Sequence, residues 1–204
     1  WSSYPSPVAP QPQTYRTAAV IGGGPAGLVA AEALASSGVT TTVYDHMPSV
    51  GRKLLLAGRS GLNLTHSEPL DSFLARYGAA RPFLEDAIRA FDPDALRRWA
   101  ASLGEDTYTG SSGRVFPDSW RATPLLRAWL ARLNTLGVRF AVRHEWLGWE
   151  QVPTDGSPQR LRFAYRRSTT ERSAETVVVE ADVVVLALGG ASWPRVGSTG
   201  TWAS

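Results

Sequence analysis

RTAAVIGGGPAGLVAAEALASSGVTTTVYDH, residues 16–46, changes its hydrophobic period twice. Thr17 to Ile21 is a short apolar run of strand type. From Pro25 to Ser37 the apolar residues Leu28, Ala31 and Leu34 recur at helical spacing, and Gly38 stands where a helix would stop in the left-handed region. Val39 to Asp45 is rich in β-branched residues and reads as a second strand. The whole is a βαβ unit. Gly22, Gly24 and Gly27 fall at its first turn, spaced G-x-G-x-x-G, between strand and helix. In that context Gly22 permits the tight turn and Gly24 lets a pyrophosphate approach the backbone. Gly27 allows close helix–sheet packing. Pro25 and Ala26 open the helix, whose free N–H groups and partial positive charge suit an anion. Asp45, ending the second strand, sits where a carboxylate accepts a ribose hydroxyl.

Composition sets the outer bounds. A chain of 204 residues with 43% hydrophobic and 19% charged residues buries a real core and suits one large domain. With no cysteine, disulfides, thiolate metal sites and a cysteine nucleophile are excluded, and the three histidines have no metal-ligand spacing. A net charge of only +3, carried by scattered arginines, gives no basic tract, so no nucleic-acid partner is expected. No apolar run reaches the length of a membrane span and no signal peptide is visible, so the expectation is a cytoplasmic protein without a membrane partner.

Residues 1–16 are rich in Pro, Ser and Gln and read as a disordered lead-in to a domain over 17–204. GRKLLLAGRSGLNLTHSE, residues 51–68, reads as a loop opening after the βαβ unit; it holds Lys53, the one lysine of the chain. Two short amphipathic helices are predicted at 82–91 and 92–104, the second with Asp92 as N-cap and Pro93 in its first turn. TYTGSSGRVFP (107–117) reads as a hairpin or irregular turn, and ATPLLRAWLARLNTLG (122–137) as a helix closed by Gly137. VRFAV (138–142) is a candidate parallel strand. HEWLGWEQV (144–152), RLRFAYRR (160–167) and TVVVEA (176–181) suggest an antiparallel meander, with RSTTERSAE (167–175) as a solvated turn. The unbroken apolar run DVVVLALGG (182–190) fits a strand buried on both faces. The aromatic helix around Trp129 reads as core, and the absence of a nucleophile elbow removes any Ser-His-Asp reading.

VIGGGPAG (20–27), GRKLLLAGRSGLNLTHSE, GRVFPDSWRATPLLRAW (113–129) and LALGGASWPRVGSTGTW (186–202) together resemble the aminoacetone-oxidase-type, BaiN-like bacterial FAD-binding flavoproteins. The resemblance implies an α/β, Rossmann-like FAD domain of glutathione-reductase type, with a parallel sheet and a three-stranded antiparallel meander. It also implies an N-terminal part of a longer protein, with the insertion domain and the C-terminal segment that covers the flavin lying beyond it. That segment is then the domain's own partner. By this resemblance Gly51, Arg52 and Lys53 approach the FAD ribose and pyrophosphate, and Gly189 and Gly190 pass close to the cofactor. The backbone of Trp146 lies near adenine, although core packing explains that residue equally well. His46 flanks the adenosine or faces solvent. Many relatives carry Arg-Cys-Asn where this chain has Gly61-Leu62-Asn63, leaving Asn63 and Thr65 as polar candidates near the flavin. The implied activity is FAD-dependent oxidation or reduction of a small molecule, with NAD(P)H as an electron donor. An NAD(P)-binding dehydrogenase domain and a non-catalytic fragment are the rival readings. No catalytic acid or base can be named.

Overall fold

The computed structural model describes residues 15–151, 158–165 and 174–190. The lead-in 1–14, most of the turn 167–175 and the tail 191–204 lie outside the described residues.

Strand β1 (Thr17–Ile21), helix α1 (Pro25–Ser36) and strand β2 (Thr40–Asp45) form the predicted βαβ unit. Helix α1 ends as its sequence implies. Gly38 takes φ 82°, and Val39 N–H reaches back to Leu34 O at 3.1 Å, the six-to-one bond of a Schellman closure. The segment 51–68, expected as a loop, instead forms helix α2 (Arg52–Ala57), a 3₁₀ turn (Gly58–Ser60) and strand β3 (Thr65–His66). Two glycines explain the difference. A Cβ on Gly51 would lie 2.5 Å from Leu126, and one on Gly58 2.5 Å from the Cβ of Ala122, so both let α2 sit hard against the later helix. Packing thus supplies what so short a helix lacks on its own.

Helices α3 (Leu70–Ala75), α4 (Arg81–Ala90) and α5 (Pro93–Ser102) follow. Asp92 caps α5 as predicted, its Oδ1 accepting the Ala95 N–H at 2.6 Å. Strands β4 (Thr107–Thr109) and β5 (Arg114–Pro117) make the expected hairpin, with β3 joined on the other edge of β5. Helix α6 (Ala122–Thr135) then leads into β6 (Arg139–Val142). Strands β7 (His144–Gln151), β8 (Gln159–Tyr165) and β9 (Glu175–Ala181) form the antiparallel meander, and β10 (Val183–Leu186) closes the series.

The central sheet is parallel throughout, in the order β10-β1-β2-β6. Alternation along its strands divides the core into two layers. Val20 and Val43 point toward α1 and α6, where Leu28, Ala31, Leu126, Trp129 and Leu133 are buried with them. Ala19, Ile21 and Tyr44 point the other way, onto Leu161, Phe163 and Ala181 of the meander. Tyr44 stacks on Phe163 with ring centroids 4.5 Å apart, and burial pushes its hydroxyl pKa upward. The fold is therefore a helix–sheet–meander sandwich of Rossmann type.

One charged group holds the helical layer together. Glu32 on α1 accepts the indole N–H of Trp129 at 2.7 Å and of Trp99 at 3.2 Å, and meets Arg132 at 3.2 Å. It thereby links α1 to α5 and α6. At the bottom of the sheet Asp182 joins the starts of β10 and β1. Its Oδ2 accepts the Arg16 and Thr17 N–H groups, each at 2.9 Å, and the Thr17 hydroxyl at 3.0 Å. These bonds hold the Asp182 carboxyl below its usual range. Among the described residues no helix is long and apolar enough to cross a membrane.

Candidate dinucleotide site

From β1 the chain runs on to β2 and β6 on one side, while β10 pairs with the other side of β1. Strand order therefore reverses beside β1. In an open parallel sheet the crevice at the carboxyl ends of such strands is where ligands bind. The loop Gly22–Gly27 stands at that point.

Three of the four glycines there have a separate steric reason within the protein. Gly22 takes φ 108°, and a Cβ on it would lie 2.3 Å from Ala187 O, because the end of β10 crosses directly over the loop. Ala187 N–H donates to Ile21 O at 2.8 Å and fixes that crossing. A Cβ on Gly27 would meet Ala187 Cβ at 3.3 Å and would fall on Gly22 O itself. Gly23, which the G-x-G-x-x-G spacing leaves unspecified, has no room either; a Cβ would lie 2.3 Å from Val50. Gly24 differs from all of them. It is the N-cap of α1 with an ordinary extended backbone, φ −78° and ψ 178°, and a Cβ there meets nothing within 4 Å. The fold imposes no glycine at this position, so the open space lies where a ligand would press on the backbone. No side chain caps α1, and Pro25 follows as its first residue, leaving the early N–H groups of the helix for an anion.

Asp45 has a second task that its position in the sequence did not show. Its Oδ2 accepts the Gly23 N–H at 2.7 Å and its Oδ1 accepts the Met47 N–H at 2.8 Å. The carboxylate therefore shapes the glycine loop and the chain leaving β2. Each oxygen keeps a lone pair for a further donor such as a ribose hydroxyl. His46 lies beside it, Nδ1 3.8 Å from Asp45 Oδ1, with its side chain 45% exposed.

The second glycine-bearing segment meets the first directly. Gly51 N–H donates to Gly23 O at 2.7 Å, with Gly51 in the left-handed region at φ 70°. Arg52 and Lys53 then open α2. Arg52 Nε is buried with no hydrogen-bond partner among the described residues, and its Nη1 makes only a 3.5 Å contact to Ser49. Lys53 is half-buried.

On the far side of Asp45 is a residue that no motif or spacing singles out. Arg143 follows β6, whose Val142 is in register with Asp45, and its N–H donates to Met47 O at 3.1 Å. It holds φ 60°, unusual for a residue with a side chain, and its Nε is buried without a partner among the described residues. Only the folded chain places this arginine beside the end of β2.

The remaining expected residues come from three other parts of the chain. Trp146 is on β7, opposite Phe163, and packs edge-on against Trp149 at 5.9 Å in the layer under the central sheet. Its side chain is thus part of the core, with the indole Nε1 buried and without a partner among the described residues. Gly189, at φ 73°, and Gly190 follow the β10 crossing at Ala187 and Leu188. Thr65 belongs to the small sheet β3-β5-β4 and is buried on its inner side, while Asn63 lies in the segment leading into β3 and is exposed.

Comparison with known proteins agrees with this fold. Residues 16–204 match the HI0933-like protein Rossmann domain. A relative from Haemophilus influenzae (strain ATCC 51907 / DSM 11121 / KW20 / Rd), named ribosomal RNA dihydrouridine synthase, is 26% identical over 181 residues. That alignment takes in 88% of this chain but 42% of the relative, so the chain spans less than half of that protein's length. Among solved structures, THI4 of Thermovibrio ammonificans superposes with a TM-score of 0.56 at 17% identity, over 85% of this chain and 57% of that one. A 3-ketosteroid-Δ4-(5α)-dehydrogenase from Rhodococcus jostii RHA1 gives 0.56 at 17% identity, over 86% and 46%. At such identities these two speak for the fold. The chain belongs to the HI0933-like Rossmann-domain family, a family of FAD-binding flavoproteins.

Proposed function

We propose that this member of the HI0933-like family is the dinucleotide-holding part of an FAD-dependent oxidoreductase. The observation that carries the reading is Gly24. It is the one glycine of its loop whose Cβ would be free of the protein, at the capless start of α1 and at the reversal of strand order. Such a place fits a pyrophosphate. The buried Nε atoms of Arg52 and Arg143, without partners among the described residues and one on each side of the Asp45 turn, fit a ligand that is anionic and rich in acceptors.

In this proposal the N–H groups at the start of α1 hold the pyrophosphate, assisted by Arg52 and Lys53. Asp45 accepts a ribose hydroxyl while keeping its two backbone bonds. Arg143 faces the adenosine end. Gly189 and Gly190 let the chain after β10 pass close to the cofactor. When bound, FAD would supply the hydride chemistry, and the chain supplies position and electrostatics. NAD(P)H is the proposed electron donor, and the cytoplasm the proposed setting. The remainder of a longer chain would enclose the flavin and its substrate.

Two substrate classes follow from different observations. Composition favours a free small molecule. The name of the Haemophilus influenzae relative favours a uracil base in ribosomal RNA, whose 5,6 double bond would gain two electrons and two protons. The test begins with the full-length protein, its visible spectrum and anaerobic bleaching by NADH or NADPH. An oxidised-flavin spectrum lost on adding one of them supports the reading, and a colourless protein that takes up no added FAD refutes it. Dihydrouridine content of ribosomal RNA from cells lacking the protein then separates the two substrate classes.

A further inference from the structure

The outer face of the small sheet β3-β5-β4 has no place in the dinucleotide site. Its register decides which residues share that face. Thr65 opposes Val115, which opposes Thr109, and Val115 is fully buried, so this row points inward. His66 opposes Arg114, and Tyr108 opposes Phe116. These four side chains therefore line the other face.

Trp120 completes the set from the turn after β5. Its ring stacks on Phe116 with centroids 4.5 Å apart and planes 25° apart. Tyr108 lies 5.9 Å from Phe116 and 6.4 Å from Trp120, within 31° and 20° of their planes. Three near-parallel rings are thus grouped, yet Trp120 is 42% exposed and Tyr108 39% exposed.

The backbone under Trp120 is strained to achieve this. It holds φ 63°, a conformation that costs a bulky residue on the order of 1–3 kcal/mol. Glycine would adopt it freely. A Cβ on Gly61 would sit 2.5 Å from the indole carbons, and Leu62 N–H donates to Trp120 O at 3.0 Å, so the neighbouring chain is shaped around the ring. Arg59, Arg114 and Arg121, all exposed, flank the cluster, and none forms an ion pair among the described residues. The exposed acids Asp106 and Asp118 sit at the open end of the hairpin, away from Arg114, and the Glu68 carboxylate that lies 3.4 Å from His66 is itself paired with Arg76 at 2.6 Å.

We propose that this face binds single-stranded RNA, with the Tyr108–Phe116–Trp120 cluster stacking on an unpaired base and the flanking arginines on the phosphates beside it. Aromatic rings on a sheet with unpaired cations around them are how single strands are held without base pairing. The proposal rests on the RNA reading of the substrate and names a surface that would hold that RNA.

The test uses the full-length protein and a fluorescein-labelled single-stranded oligouridine, followed by anisotropy at two salt concentrations. Trp120→Gly removes the ring while relieving the backbone, so folding is kept, and Tyr108→Ala is the second variant. Stacking one base predicts affinity losses of roughly five- to a hundredfold for each, with FAD content unchanged. Arg114→Ala should weaken binding and flatten its salt dependence. Unaltered RNA affinity in Trp120→Gly and Tyr108→Ala overturns the proposal. So does a wild-type protein that carries FAD but ignores the RNA, and in that case the flavin reading still stands. If both variants lose thermal stability and keep RNA affinity, the rest of the chain covers this face and the proposal falls. A protein without flavin would instead refute the reading on which the proposal rests.

Discussion

Replacing Gly24 and Gly22 separately distinguishes a ligand's demand for glycine from the fold's demand. Gly24 has an ordinary φ of −78° and open space around its missing Cβ. Gly24→Val should therefore fold, losing at most about 1 kcal/mol because a β-branched residue is a poorer N-cap. Its side chain would occupy the pyrophosphate's place, and FAD affinity should fall at least about a hundredfold, or about 2.7 kcal/mol. Gly24→Ala should fold equally well and bind FAD with an intermediate affinity. Gly22→Ala asks the opposite question. At φ 108° an L side chain is strained by about 1–2 kcal/mol, before the clash of its Cβ with Ala187 O at 2.3 Å is counted. That variant should lose stability, and lose FAD as a consequence. Urea unfolding of the apoproteins and fluorescence titration with FAD measure the two effects in the same full-length preparations. If Gly24→Val binds FAD as tightly as wild type, no pyrophosphate lies against this loop. If Gly24→Val unfolds like Gly22→Ala, the open space is not real.

Four further outcomes are expected. Asp45→Ala should weaken FAD binding roughly ten- to a hundredfold by titration, from loss of one charge-assisted bond to ribose and a looser Gly23 turn; equal affinity would leave Asp45 a purely structural residue. Arg143→Gly should leave the apoprotein as stable as wild type or up to about 1 kcal/mol more stable, since φ 60° suits glycine, while FAD binds about tenfold more weakly. Unchanged affinity would detach Arg143 from the adenosine end. Glu32→Ala should cost about 2–4 kcal/mol in urea unfolding by stranding the indole N–H groups of Trp99 and Trp129, with no effect on FAD affinity beyond that loss. For Asp182 the folded pKa is lowered, so its stabilisation is complete above the unfolded value of about 3.9 and disappears as pH falls through the folded one. Acid unfolding of Asp182→Asn should accordingly lack the part of the stability loss that wild type shows below about pH 4; superimposable acid-unfolding profiles would refute it.

Local chemistry explains what could be read in advance. The βαβ unit, the Gly38 and Gly137 stops, the Asp92 cap and the meander all depend on spacing or on one turn residue, and each appears where the chain order implies. Helix α2 did not show itself because its reason lies in a helix much later in the chain. Gly51 and Gly58 are glycines for the sake of Leu126 and Ala122, and isolated they look like loop punctuation. The same distance hides Glu32, whose partners Trp99, Trp129 and Arg132 come from two later helices.

At the candidate site the division follows the same physics. A fingerprint reports which backbone positions must be bare, so Gly22, Gly24 and Gly27 could be named from spacing alone. It cannot report that Gly22 is bare for the sake of Ala187, that Gly27 is bare chiefly for the sake of Gly22 O, and that only Gly24 has space to spare, because Ala187 arrives just after the last strand. Nor can it report Arg143 or Trp120. Both are ordinary letters whose meaning is a positive φ, at 60° and 63°, and a strained backbone is not written in a side chain's identity. They are the two residues among those described that hold such a φ without being glycine. One ends beside the proposed dinucleotide cradle and the other carries the exposed ring of the small sheet. A fold keeps such strain where surrounding contacts enforce it. At Arg143 that contact is the bond to Met47, and at Trp120 the press of Gly61 and the bond to Leu62. Those restraints fix the backbone under a guanidinium beside the Asp45 turn and under an exposed indole on the small sheet, the two places where the cofactor and the RNA are proposed to bind.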